Sequence, residues 1–403
     1  MSPVTPTFNH HALMRIAIVM AFIQFTNALE YMAFNPVFAF MAADFAVPVS
    51  FSGYVSGMYT SGAVLSGFIA FYWMGGCNKK RFLFVNMALL GLLTLLTTYI
   101  SSFSLLLTLR FCAGLVGGTT MGVGTSLLIN NAPAHLRGKM LATVIASFSL
   151  VSIVGMPTVL YLCTNYGWHI ALWLISLFCL LALPLIISII PQDPVSSESL
   201  PPQRLDRDTL LFASCNALVQ FSPMLVIPVL VPLLTRQLGA SQDLLPWLFF
   251  AGGIAGYLST KITVLITSRY SALILATGST LVFILSLLIP ILGYQHAALF
   301  ITVFLGASYS RLVSSSVVTM QFPEDSQRAG FSSLQTSIMY LMTTAAFFLS
   351  AYLFPDGGMA PQDVNKLLTV CAISASGFPV IIILLQKKLA KRTLNFCHME
   401  SDS

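Results

Sequence analysis

Charge is what this chain has least of: 13 acidic and 19 basic residues among 403, or 8% in all, against about 25% in ordinary soluble domains. That scarcity excludes a water-soluble fold. Seven cysteines are present, but none falls in CxxC or Cys/His ligand spacing, so neither a metal centre nor a disulfide framework is expected. No GxxxxGK[ST] run occurs and no loop exceeds about 20 residues, which excludes a nucleotide-driven pump and disfavours a receptor with a soluble sensing domain. His10, His11, His135, His169, His296 and His398 all stand near the ends of apolar runs or in tails, so a buried histidine relay has no support. Residues Met1 to Leu13 lack the basic start and small-residue cleavage site of a signal peptide, and the first apolar run is expected to stay as an anchor.

What the chain has is apolar surface: 57% hydrophobic residues and a mean hydropathy of +0.86. A bilayer core takes about 20 apolar residues per helix. Spans are expected at about 14–41, 51–74, 81–100, 105–129, 140–162 and 169–190, then at 210–234, 244–266, 271–292, 297–321, 331–354 and 364–386. The windows are continuously apolar, where barrel strands would alternate over about 10 residues. The expected fold is therefore all-α, with twelve transmembrane helices in two six-helix halves. Residues 1–190 form the first half, a proline-rich polar stretch at 191–209 links it to 210–390, and 391–403 is a tail. Fourteen of the 19 basic residues fall in segments sharing one side with the termini, which predicts that both termini are cytoplasmic. The formal charge of +6 thus orients the protein and implies no nucleic-acid partner.

Several motifs resemble the major facilitator superfamily, and within it the bacterial proton-linked efflux branch of drug and sugar exporters. Gly67 to Arg81 resembles that branch's turn after the second helix; its basic cluster survives, but Gly75 and Gly76 replace the Asp-Arg pair. Ser268-Arg269-Tyr270-Ser271 keeps the arginine of the matching turn without its aspartate, so the usual inner salt-bridge latch gives way to other contacts. Arg110, Gly114, Gly117 and Gly118 resemble the RxxxGxxG motif of helix four. Gly155 and Pro157, with Gly167 and Trp168 beyond, resemble in part the helix-five region that marks antiporters. Tyr309 to Val313 resembles an arginine-bearing tenth helix. The resemblance implies a monomeric inner-membrane exporter, without a cofactor, whose partners are a small-molecule substrate, protons and membrane lipids.

Ionisable residues at bilayer depth are costly and are functional candidates by default. Four sit well inside spans: Glu30, Arg110, Lys261 and Arg311. The resemblance places helices one, four, seven and ten around a central cavity, so three of the four fall on cavity helices. Glu30 is the only acid inside a span and the candidate for proton coupling; the alternative is a fixed ion pair with Arg311 that ties the halves together. Arg110 and Arg311 offer planar forks for an acidic substrate such as a polycarboxylate or siderophore, or else satisfy backbone carbonyls. Lys261 is close enough to a helix end to snorkel.

Asn27, one turn before Glu30, and Asn216 with Gln220 on helix seven are candidate substrate hydrogen-bonders or interhelical polar contacts. Phe34 is a candidate cavity wall. Pro223, Pro228 and Pro232 interrupt helix seven as a hinge or as fixed kinks. Gly114, Gly118 and Gly122 read as a packing stripe. The leading reading is a secondary transporter, proton-coupled and exporting a small organic solute. An importer or uniporter of the same fold, and a non-transporting receptor or assembly protein, are the alternatives.

Overall fold

The computed structural model describes residues 10–73, 78–131, 134–192, 206–323, 328–354 and 360–401. Among them the regular structure is helical throughout, with no strand. The first half comprises α1 (His10–Met41), α2 (Ser52–Trp73), α3 (Lys79–Thr97), α4 (Phe103–Gly117 and Thr120–Asn131), α5 (Ala134–Leu150 and Met156–Tyr166) and α6 (Trp168–Ile189). The second comprises α7 (Arg207–Val226, continued in broken turns to Gln237), α8 (Leu245–Ile266), α9 (Ala272–Ile291), α10 (Ala297–Thr319), α11 (Arg328–Tyr352) and α12 (Pro361–Ser401). This is the all-α architecture of twelve helices in two sets of six that the hydropathy implied. Among the described residues, eleven helices are long and apolar enough to cross a membrane. The remaining one, α2, is 22 residues long and carries many Gly, Ser, Thr and Tyr residues because it is wedged between α4 and α11, where small side chains permit close approach.

Two differences from the expected spans have local causes. α12 runs on to Ser401 instead of stopping near 386, since Lys387, Lys388, Leu389, Lys391 and Arg392 are good helix formers that need no lipid to stay helical. Three helices are irregular: α4 is interrupted by a turn at Gly118 and Thr119, α5 contains a π turn at Val151–Gly155, and α7 passes through a 3₁₀ turn at Ile227–Val229 and a π turn at Leu233–Gln237. Pro157, Pro228 and Pro232 lack the N–H that would bond four residues back, so the hydrogen-bond register shifts beside each of them. The Gly75-Gly76 pair and most of the 191–209 linker lie outside the described residues.

Apolar packing is unequal at the two ends. At the end remote from the start of α1 and the end of α12, one buried cluster draws on both halves, from Phe34, Phe38 and Met41 on α1 to Val226, Leu230 and Leu234 on α7 and Phe354 on α11. Toward the other end the buried residues divide. One cluster is built from first-half residues such as Ile16, Met87, Leu127 and Ile186, and another from second-half residues such as Phe212, Val318, Phe331 and Ile382. The halves are therefore fused at the remote end and separately packed at the end bearing the termini. Leu89, Leu92, Leu177, Leu181, Ile262 and Leu285 are among many large apolar side chains left on the outside, a surface suited to lipid.

Candidate functional site

Glu30 lies on α1 with no exposed surface, and its Oε1 is in an ion pair with Nη1 of Arg110 on α4, itself 1% exposed. The hydroxyl of Thr94 on α3 is 3.4 Å from the same oxygen. The guanidinium stands 3.6 Å over the ring of Phe34 and 4.8 Å from that of Tyr59, both close enough for cation–π attraction. Glu30 Oε2 and Arg110 Nε and Nη2 have no hydrogen-bond partner among the described residues. The pair is thus closed off from the surface and incompletely satisfied by the described residues. Each ion loses several kcal/mol of hydration at this depth, and only the mutual attraction offsets it.

An ion pair between Glu30 and Arg311 does not form. Arg311 is closed inside the second half: it has no exposed surface, donates from Nη2 to the carbonyl of Ala375 on α12 at 3.3 Å, and lies 4.6 Å from the Phe283 ring and 5.5 Å from that of Phe378. The reason is the direction of the side chain. Arg110 and Arg311 each turn into the bundle of their own half, so α1 meets the first and never the second. Phe34 likewise covers Arg110 and is fully buried, where an open cavity wall was expected.

The boundary between the halves holds residues that the sequence reading passed over. Tyr31 stacks on Tyr59 at 5.0 Å and meets Tyr340 of α11 edge-on at 6.3 Å. Three tyrosines from α1, α2 and α11 therefore sit beside the Glu30–Arg110 pair and span both halves. The Tyr59 hydroxyl and Asn27 Oδ1 converge over Gly117, the amide oxygen 2.9 Å from where a Cβ would stand, and neither atom has a hydrogen-bond partner among the described residues. Gln24, Asn27 and Tyr31 follow one another at helical spacing on one face of α1. One signal was available: Tyr31 adjoins the only acid inside a span.

Among the described residues, hydrogen bonds that cross between the halves include Thr344 to Thr60 at 2.7 Å and Ser152 to Tyr309 at 3.2 Å. Ser152 belongs to the π turn of α5, and its carbonyl oxygen lies 2.5 Å from where a Cβ on Gly253 of α8 would be, so Gly253 is needed for that contact.

Asn216 accepts from Ser315 at 2.5 Å and donates to Ser316 at 3.1 Å, both on α10, which makes it an interhelical contact in this conformation. Gln220 is half-buried one turn further along α7. Gly114 and Gly118 press against α2: a Cβ on Gly114 would overlap the Tyr59 carbonyl, and one on Gly118 would come within 2.6 Å of Ala63. Gly122, in contrast, faces open space. Gly155 meets Leu29 and Phe25 of α1. Pro223 lies within regular helix, and Pro228 within the 3₁₀ turn. Arg269 is exposed in the turn after α8, and the exposed Lys261 lies 5.6 Å from the Tyr257 ring.

Residues 20–342 match the family profile of the Major Facilitator Superfamily. The chain is 20% identical over 378 residues to the purine ribonucleoside efflux pump NepI of Shigella sonnei strain Ss046, covering 91% of this chain and 94% of that protein. With its counterpart from Escherichia coli O6:H1 it shares 23% identity over 311 residues, 74% of this chain and 78% of the other. Among solved structures, the nucleoside transporter NupG aligns with a TM-score of 0.73 at 12% identity over 93% of this chain and 99% of its own. A D-xylose–proton symporter aligns at 0.70 and 14% identity, covering 91% and 97%. With a profile match over most of its length, the chain belongs to the Major Facilitator Superfamily, a multi-pass membrane transporter and not an enzyme.

Proposed function

We propose that this transporter exports an uncharged, planar heteroaromatic solute of the nucleoside kind in exchange for protons. The observation that carries the reading is the tyrosine cluster across the halves, beside a lone buried carboxylate. Tyr31 and Tyr340 offer π faces for a flat ring, and Asn27, Gln24 and the Tyr59 hydroxyl offer the polar atoms that would orient it. The anionic cargo implied by two arginines against one carboxylate loses its basis, because Glu30 neutralises Arg110 and Arg311 is shut away from the boundary. The nucleoside efflux relatives support the same substrate class and direction.

The pair supports a proton-coupled mechanism. When Glu30 takes a proton its charge is lost, Arg110 is released, and the α1–α4 contact that held the first half changes; substrate leaving or entering beside Tyr31 alters the hydration of the same carboxylate. The halves, residues 1–190 and 210–390, would rock about the remote end with the 191–209 linker and the tail on the cytoplasmic face of a bacterial inner membrane, each monomer working alone. Cysteines placed at Ser197 and Lys391 should react only from the cytoplasm; labelling of either from outside intact cells would reverse the topology.

The decisive measurement uses proteoliposomes with an imposed pH gradient. Purine nucleosides should be moved uphill, and carboxylates should not compete. Glu30→Gln should abolish uphill movement while retaining nucleoside exchange. Uphill transport undiminished in Glu30→Gln removes Glu30 from coupling, and competition by carboxylates alone removes the substrate class. Import in symport with protons is the second reading, favoured by the fold shared with a sugar–proton symporter; the direction of the gradient that drives accumulation separates the two.

A further inference from the structure

We infer that the second half holds a small inorganic anion, a halide, against Arg311. A guanidinium with no exposed surface needs a compensating negative charge, and here Nε and Nη1 have no partner among the described residues, with only the Ala375 carbonyl on Nη2. Among the second-half residues whose side chains are described, the acids are Asp206, Asp208, Asp243 and Asp363, and all stand at helix ends. The triplet Asn-Ala-Leu recurs at 27–29 and 216–218 on the first helix of each half. In that register Glu30 is matched by Val219, which is buried at 1% exposure. The second half thus has a buried arginine with no carboxylate at the matching position.

Other polar atoms of the second half are buried without a bond. Ser222 Oγ on α7 and Thr280 Oγ1 on α9 are buried without partners. Their neighbours behave differently: Ser279 and Ser286 on α9 each bond back to their own helix, at 2.6 Å, the usual recourse of a buried hydroxyl. Position ties the two free hydroxyls to Arg311. Ser222 takes the Cys371 thiol on its carbonyl at 3.1 Å, and Cys371 is one turn from Ala375; Thr280 is one turn from Phe283. A charged fork and two hydroxyl donors make an anion site. The rings of Phe283 and Phe378 and the complete burial of Arg311 disfavour a bulky organic acid and point to a small ion, a halide such as chloride. The anion does for the second half what Glu30 does for the first, without a proton to exchange.

The test uses the purified full-length protein, with chloride replaced by gluconate at constant ionic strength and pH. Chloride and bromide should each raise the unfolding temperature saturably, by on the order of 2–4 °C, and crystals grown in bromide should show an anomalous peak beside Arg311. Val219→Glu supplies an internal carboxylate and should unfold at the same temperature in both salts; Arg311→Gln should also lose the dependence. Equal stability of the wild type in chloride and gluconate, a salt effect retained in Val219→Glu, or bromide crystals without density at Arg311 would each overturn the inference. The bromide experiment needs no variant, so it decides the matter even if both substitutions prevent folding.

Discussion

The fourth helix of each half carries one arginine deep in its own bundle, yet Arg110 faces a carboxylate on the neighbouring helix while Arg311 faces two phenylalanine rings and a carbonyl. The contrast shows how a repeated architecture divides its labour. A pair that includes Glu30 can change its charge by taking a proton; an arginine among rings cannot. On the reading proposed here the first half is therefore the proton-sensing half, and the second serves as its partner surface through Tyr340 and Thr344.

The comparison breaks most visibly if the pair is cut. Arg110→Met leaves Glu30 buried and unpaired and should lower stability by about 3–5 kcal/mol, read from thermal unfolding. The double variant Glu30→Gln with Arg110→Met should recover most of that loss while uphill transport stays absent. Next comes packing: Gly114→Val forces a side chain into the Tyr59 carbonyl and should cost about 1–3 kcal/mol. At Ser315, the same distance beyond Arg311, Ser315→Ala removes the hydroxyl's bonds to Asn216 and to the Cys215 sulfur and should cost about 1 kcal/mol. Equal losses at the two positions would contradict the tighter α2–α4 contact.

Tyr340→Ala should weaken nucleoside binding by about 0.5–1.5 kcal/mol in equilibrium titration. An unchanged affinity would place the solute elsewhere. The smallest effect is expected of Thr344→Val, which deletes one bond across the halves, worth about 0.6 kcal/mol. It should shift the conformational equilibrium about threefold, measurable by spin-label distances between α2 and α11.

The number and placement of helices were legible because each crossing must be continuously apolar, and a charge inside such a run stands out at once. Glu30, Arg110 and Arg311 were visible for that reason. Their pairing was not, since hydropathy carries no record of how a helix is rotated, and it is the rotation of α4 and α10 that turns each arginine into its own half. Tyr31, Tyr59 and Tyr340 escaped for another cause: tyrosines in apolar runs read equally as membrane-interface anchors, and only the packing of α1, α2 and α11 gathers them. Asn216 illustrates the remaining ambiguity, as the amide that could greet a solute is engaged with Ser315 and Ser316.

Helix seven has slack. Its 3₁₀ turn at Ile227–Val229 rises about 2.0 Å per residue where an α turn rises about 1.5 Å, so recoiling three residues shortens the helix by roughly 1.5 Å without cutting the chain of hydrogen bonds. That turn touches α1, α2 and α11 within the cluster that fuses the halves at the remote end. The seal can accordingly be loosened by a change of pitch in one segment, a few dihedral angles in place of a whole-helix displacement, and the compressed π turn at Leu233–Gln237 stands next to it as the store from which that length is drawn or to which it is returned.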